Sequence, residues 1–345
     1  MLLACTLSTG CSDRCSKSAT LVTRQQSTPS TLPGPRQQRG LPDHNHSELP
    51  PHFWKTLRSE FQLPISHHPL VKQQQQRYLK DKYHFQQVTY RAQPYLNWIV
   101  TQIKQRQLPM ELLLLPMVES AFDPHAHSNK RAAGLWQFTL QTGRHYGLIV
   151  NQWYDGRRDI VHATEAALTL LSDLNQRFEG DWLLTLAAYN SGAFRVAKAV
   201  KAQQKRAGAA VDFWSLALPQ ETMSHVIKLL AISAILQHPD QQQLNLPDLD
   251  SQQSLHYIDV GQPFALSQVA SMAGLPLARL KAFNPGYRRA ITGPSGPYHL
   301  LLPHHCMARF KQALVTATHQ QRPLVTTACT ATPRGPARAV PTDQL

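Results

Sequence analysis

The sequence predicts a mainly α-helical domain followed by a small α+β module. Three observations carry that reading. From about residue 50 to 240 the apolar residues recur at helical spacing, and no alternating run appears before about residue 255. Beyond it, "LHYIDV" alternates like a strand, "FALSQVASMAGLPLARLKAFN" gives two short helices split at Gly274-Leu275-Pro276, and "GPYHLLLP" offers a second strand. Finally, residues 12–48 and the tail from about residue 320 are rich in Ser, Thr, Pro and Gln and too poor in apolar residues to build a core.

Taken in order, "SELPPHFWKTLRSEF" reads as a first helix, with Ser47 as N-cap and prolines in the first turn. "KQQQQRYLKDKYHFQQVTYRAQPYLNWIVTQIKQR" holds two or three helices, broken near Pro94. Pro109 opens "MELLLL", Pro116 kinks or restarts it, and Pro124 stops it. "HATEAALTLLSDLNQRF" places Ala163, Ala166, Ala167, Leu170, Leu171 and Leu174 on one face. "DWLLTLAAYN" is a short apolar helix ending at Ser191-Gly192, and "ETMSHVIKLLAISAILQ" after Pro219 is a further amphipathic one. The expected divisions are an export-signal remnant and tether (1–48), a helical extension packing on the core (49–105), a helical domain large enough for catalysis (106–240), the small module (255–305) and a tail (320–345).

Composition excludes several classes. Apolar residues make up 42% of the 345, yet no run reaches the ~18 needed to span a bilayer. The net charge of +14 favours polyanions in principle, but the basic residues are scattered and no nucleic-acid-binding motif accompanies them. No nucleic-acid partner is expected. The cysteines are Cys5, Cys11, Cys15, Cys306 and Cys329, without a CxxC pair, and the cysteine-free middle excludes a thiol nucleophile there. "MLLACTLSTGC" looks like the tail of an export signal, which makes Cys11 a candidate lipid-attachment site; Cys5 leaves no room for a signal before it.

Chemistry gathers around Glu119, at the end of the run "LLLLPMVES". Leu115, Val118 and Phe122 are placed to surround its carboxyl. Apolar surroundings disfavour the charged form of a carboxyl, which suits a general acid acting on a poor leaving group. A solvent-facing helix residue is the competing reading. Of the other carboxylates, Asp123 beside Pro124 orders a loop, Asp155 and Asp159 in "YDGRRDI" lie among arginines and look structural, and Glu165 sits on a helix from which it could reach a cleft. His125 and His127 form an HxH, followed by His145 and His162, but zinc needs three or four matched ligands. No metal and no cofactor are expected. Trp136, Tyr146, Trp153, Tyr154 and Tyr189 fit either a sugar-binding groove or a core; Trp153 and Trp182 are expected to pack, and Tyr189 to face the cleft.

Three ordered motifs, "ESAFDPHAHS", "AAGLWQF" and "AAYNSG", resemble those of the lysozyme-like lytic transglycosylases that cleave bacterial peptidoglycan, and the likeness runs from residue 51 to residue 303. The resemblance implies a lysozyme-like helical catalytic domain with a degenerate LysM-like module, whose opening is "DVGQPFALSQVA" and whose middle is "LKAFNPG". It makes Glu119 the single catalytic acid/base, with Ser120 supporting the local turn and Ser128 close to the reacting sugar. Gly134, Leu135, Trp136 and Gln137 would line the cleft, with Gln137 donating to glycan, and Tyr189 and Asn190 would face the acid across the groove. The reaction implied is cleavage of the MurNAc–GlcNAc β-1,4 bond with formation of a 1,6-anhydro end. The implied partner is the peptidoglycan glycan strand, met by a monomer in the periplasmic cell envelope, with Cys11 as an outer-membrane anchor. Leu140 stands where the family usually has proline, so the loop there is expected to be softer. A lysozyme-type muramidase using water and a non-catalytic wall-binding protein remain the alternatives.

Overall fold

A computed structural model describes residues 52–207, 211–240, 242–247, 249 and 251–320. The expectations for Ser47, Cys11 and the two terminal segments fall outside the described residues, except that residue 320 is described.

The helical body opens with α1 (Phe53–Ser59), α2 (Pro69–Lys80) and α3 (Lys82–Gln105). α1 starts after the prolines, with His52 at its N-cap, rather than upon them. The break expected near Pro94 lies instead at Asp81, whose carboxylate caps α3 by accepting the His84 N–H at 2.9 Å. Pro94 sits inside an unbroken helix of 24 residues. Burial of Tyr95, Leu96, Trp98 and Ile99 beside it outweighs the lost backbone bond, so packing overrides local propensity.

A 3-10 turn (Met110–Leu114) then feeds α4 (Leu115–Ser120), with Pro116 in its first turn. α4 ends four residues before Pro124, because Ala121 and Phe122 both turn left-handed at φ 50° and 55°. After α5 (Leu140–His145), α6 (Ile160–Arg177) carries the expected apolar stripe, and Leu168 is buried with it; Leu170 is half-buried instead. α7 (Trp182–Ser191) ends at Gly192, whose φ of 88° stops the helix. α8 spans Ala193–Ala207 and α9 Gln220–Gln237. α9 is not amphipathic as expected. From Val226 to Leu236 only Lys228 escapes burial, since α9 runs through the centre of the body against α1, α2, α4 and α7.

In the module, β1 (Leu255–Asp259) pairs antiparallel with β2 (His299–Pro303), in a register that sets Leu255 opposite Pro303 and Asp259 opposite His299. Between them lie α10 (Leu266–Ala273) and α11 (Leu277–Phe283), separated at Gly274 as expected. A final helix, α12 (His304–Gln320), was not anticipated from the sequence; its Cys306 and Phe310 complete an apolar cluster with Leu266, Val269, Leu280 and Leu300. No helix among the described residues is long and apolar enough to cross a membrane.

Backbone and side chains tie the module to the body. The Asp155 N–H donates to the Gly286 carbonyl, and the Arg288 N–H to that of Trp153, both at 2.8 Å. The buried His299 Nε2 meets Asp159 Oδ2 at 2.7 Å, while Asp159 Oδ1 caps α6 by accepting the His162 N–H at 2.8 Å. Burial works to raise the Asp159 pKa, but the two histidines outweigh it and hold the carboxyl well below its usual range. That contribution to stability is complete above about pH 4, the unfolded value, and lost as pH falls through the folded one. His162 shifts oppositely: burial lowers it, but the Asp159 hydrogen bond and charge prevail and raise it. Its share is complete below about pH 6.5 and lost as pH rises through the folded value. Replacing His299 by leucine (His299→Leu) strips a partner from a buried carboxylate. Urea unfolding near pH 6 should show a loss of roughly 1–3 kcal/mol; an unmoved midpoint would mean the contact carries no stability.

Candidate active site

A cleft of about 370 Å³ opens on the helical body. Val118 and Glu119 come to it from α4, Leu170 from α6, and Tyr189 and Asn190 from the end of α7. Ser128, Lys130, Ala132, Gln137 and Phe138 come from the loop between α4 and α5. α9 presents Glu221, Ser224, His225 and Lys228.

Glu119 is placed by the shortness of α4. The two left-handed residues that follow it reverse the chain at once, and Phe122 is driven into the core with 1% of its surface exposed. Non-glycine residues in that region are uncommon and cost energy that the surroundings must supply. Here the Arg91 guanidinium holds the Ala121 carbonyl at 2.8 Å. The Glu119 side chain keeps 13% of its surface exposed, and its Oε1 lies 2.8 Å from Nε2 of His225, which is itself only 6% exposed.

The "GLWQ" segment forms the adjoining wall, although three of its members, Gly134, Leu135 and Trp136, do not line the cleft as expected; the Leu135 side chain is buried in the core. The Trp136 ring is fully buried and its Nε1 donates to Thr164 Oγ1 at 3.0 Å. It faces the core because α6 offers it a hydrogen-bonding partner there. Its carbonyl nonetheless accepts from the Tyr189 hydroxyl at 2.7 Å. Gly134 acts through its backbone: at φ 83° a Cβ would stand 1.9 Å from the Arg157 carbonyl oxygen, so only glycine fits. Gln137 does face the cleft, with its Nε2 also bound to the Gly134 carbonyl at 2.8 Å. Ser120 joins this wall to α4, since its hydroxyl lies 3.0 Å from the Leu135 carbonyl and 3.2 Å from that of Pro116. Ser128 Oγ accepts the Ala132 N–H at 3.0 Å, which leaves its own proton to point elsewhere.

Across the cleft, burial first and then the Glu119 charge push the Tyr189 phenol well above its ordinary pKa. It therefore stays protonated and bound to Trp136. Asn190 Oδ1 accepts from Thr222 Oγ1 at 3.0 Å, which orients its amide. At the rim the exposed Lys130 and Glu221 pair at 2.7 Å.

Other candidates fall elsewhere. Asp123 accepts the His125 N–H at 2.9 Å and orders the loop. Asp155 is buried against Arg157; burial acts to raise its pKa, but the Arg157 fork and the single Arg288 hydrogen bond hold it below the usual range. Glu165 is not among the cleft-lining residues. His125 and His127 are exposed on the loop. Of the five aromatics, only Tyr189 lines the cleft: Trp136 and Tyr154 are buried, Tyr146 donates to Asp173 at 3.0 Å, and Trp153 is half-buried. Trp182 is also half-buried rather than packed, because it opens α7 at its exposed end. Among the described residues, Asp159, His162 and His299 have a spacing that could hold a metal ion. The 2.7 Å between Asp159 and His299 is the length of a hydrogen bond. Two tetrahedral zinc ligands would stand about 3.3 Å apart.

His225 is the residue that sequence reasoning missed. Its signal was legible: Glu221, Ser224, His225 and Lys228 follow the i, i+3, i+4, i+7 pattern, a polar stripe on an otherwise apolar helix.

Residues 96–211 match the family described as transglycosylase SLT domain, and residues 254–319 the one described as lytic transglycosylase MltD, LysM-like domain. Membrane-bound lytic murein transglycosylase D of Escherichia coli is 44% identical over 264 residues, covering 76% of this chain and 58% of that one. The chain thus spans 58% of the length of that relative. A putative tributyltin chloride resistance protein of an Alteromonas species is 38% identical over 149 residues, covering 43% of this chain and 71% of its own. A solved lytic transglycosylase Slt from Pseudomonas aeruginosa is 22% identical over 43% of this chain and 24% of that one, with a TM-score of 0.34.

The Gly134→Ala variant should lose at least about 1–3 kcal/mol from its strained φ alone, and more from the clash with Arg157. Urea unfolding reads this directly, and a midpoint equal to that of the parent protein would contradict the close approach described for Gly134.

Proposed function

The chain belongs to the lytic transglycosylases with an SLT domain and an MltD-type LysM-like domain, and from that premise we propose that it cleaves the MurNAc–GlcNAc β-1,4 bond of peptidoglycan with Glu119 as sole acid and base. One observation supports the single-residue reading above others. The cleft-lining residues include just two carboxylates, Glu119 and Glu221, and the second is 66% exposed and paired with Lys130. A retaining hydrolase needs a partner carboxylate ~5 Å away and an inverting one needs a base ~6.5–9.5 Å away to hold water. An exposed, ion-paired side chain at the rim suits neither task.

The chemistry closes without a second acid. Glu119 gives its proton to the glycosidic oxygen as the C1–O bond breaks, and the N-acetyl group shields the cationic centre. The resulting carboxylate takes the proton of the sugar's own C6 hydroxyl, whose oxygen bonds to C1 and closes the 1,6-anhydro ring. Because the nucleophile belongs to the same sugar, its effective concentration is already high. Ser128, Gln137, Tyr189 and Asn190 are assigned to sugar binding, with Ser120, Gly134 and Trp136 holding the wall in place.

The same premise extends to the cell. Glycan strands are the proposed partner, and the cell envelope is the proposed location, with Cys11 as the anchor to the outer membrane. In this reading the LysM-like module packs on the catalytic body through Asp155, Asp159, Arg288 and His299, and contact with glycan is a secondary role.

Glu119→Gln keeps the shape of the side chain and removes its proton chemistry. Incubated with murein sacculi, the unchanged protein should release anhydro-ended muropeptides, and the variant should release them at least about 10²–10⁴-fold more slowly. Equal release by both proteins would remove Glu119 from the mechanism.

A further inference from the structure

We propose that His225 is a positioning residue that fixes which oxygen of Glu119 carries the working proton. The inference rests on the reading of Glu119 as the acid. Its starting point is a hydrogen-bond count at one imidazole. His225 Nε2 lies 2.8 Å from Glu119 Oε1, and its Nδ1 is buried with no partner among the described residues.

Three proton arrangements are open to this pair. If the ring is positively charged, Nδ1 carries a hydrogen with nothing to receive it. If Glu119 donates to Nε2, the neutral ring again carries its hydrogen on Nδ1, and again that donor is buried and unpaired. If Nε2 carries the hydrogen, only a lone pair is left unpaired at Nδ1. Buried N–H groups without acceptors are rare, and acceptors lacking a donor are better tolerated. The third arrangement is therefore favoured: a neutral imidazole donating from Nε2 to Oε1.

The consequence falls on the carboxyl. Oε1 accepts from His225 whether Glu119 is protonated or not, so the acid's own proton resides on Oε2. Proton delivery to the glycosidic oxygen and recovery from the C6 hydroxyl then pass through one atom, and the carboxyl need not rotate between the two steps. Neighbouring groups leave this role to the histidine. The Tyr189 hydroxyl is committed to the Trp136 carbonyl and the Thr222 hydroxyl to Asn190, while Lys130 is held by Glu221. α9 also carries the buried Val226, Leu229 and Leu230, so His225 is seated on a helix anchored in the core.

The test uses the full chain with soluble, uncross-linked glycan strands, measuring release of anhydro-ended product. His225→Phe keeps a flat ring and loses the donor; His225→Gln carries an amide N–H of similar reach. We expect the phenylalanine variant to fall about tenfold to a hundredfold in kcat with KM little changed, the size of effect a misplaced catalytic group produces. The glutamine variant should recover part of that loss. A phenylalanine variant that matches the parent, a loss confined to KM, or a glutamine variant no better than phenylalanine would overturn the proposal. Nitrogen-15 chemical shifts of His225 in the unsubstituted protein provide a check that depends on no variant folding. A hydrogen on Nε2 is expected, and a hydrogen on Nδ1 overturns the assignment. Glu119→Gln is run alongside: if it stays active, the parent reading of Glu119 fails, whereas a dead Glu119→Gln beside an unaffected His225→Phe sinks only this inference.

Discussion

A buried ion pair organises the cleft. Arg157 grips Asp155 with two hydrogen bonds, from Nε at 2.9 Å and Nη2 at 2.8 Å, and its Nη1 reaches the Arg131 carbonyl at 2.9 Å. The Arg157 backbone carbonyl presses on Gly134, and Arg288 of the module closes on the same Asp155 carboxylate at 3.1 Å. One pair of charges therefore holds the loop that carries Ser128 and Gln137, the glycine that lets that loop approach, and the module alongside. Breaking such a pair from one side leaves an uncompensated charge in the interior, which is the costliest way to lose it. The wall is in consequence rigid where the acid must be aimed, although neither charged residue reaches the cleft.

Much of this was legible in the sequence, and the reasons differ by element. α6 announced itself because its apolar residues repeat with the helical period and pack on one side. The module was readable from alternation, a Gly-Leu-Pro break and a second strand. Pro94 misled because a local rule about backbone hydrogen bonds says nothing about the tertiary packing that can outweigh it. α9 misled for a related reason: a helix packed on most sides keeps only a narrow polar stripe along the cleft, not a full solvent face. α12 lay beyond the second strand, where basic and polar residues hide the few apolar ones that complete the module's core.

The site was legible to a different degree. Glu119, Ser128, Gln137, Tyr189 and Asn190 lie in motifs that point to one another, and they line one cleft. Trp136 and Gly134 belong to the same motif yet serve it from behind, one through a buried ring and a carbonyl, the other through a missing side chain. Sequence cannot separate a residue that touches substrate from one that positions its neighbour, because both sit in the same short run. The polar stripe on α9 marks His225 as facing a cleft, but the partners of His225 and His299 were hidden for another reason. Each histidine meets its carboxylate across more than a hundred residues, and no local pattern records such a pairing.

The central claim is that a single carboxyl moves the proton both ways and that the sugar's own hydroxyl, not water, attacks. Digesting glycan strands in water enriched in oxygen-18 tests it most directly. The account predicts new ends that carry no heavy oxygen and weigh one water less than reducing ends. Heavy oxygen at those ends would show that water attacked, and would make the protein a hydrolase.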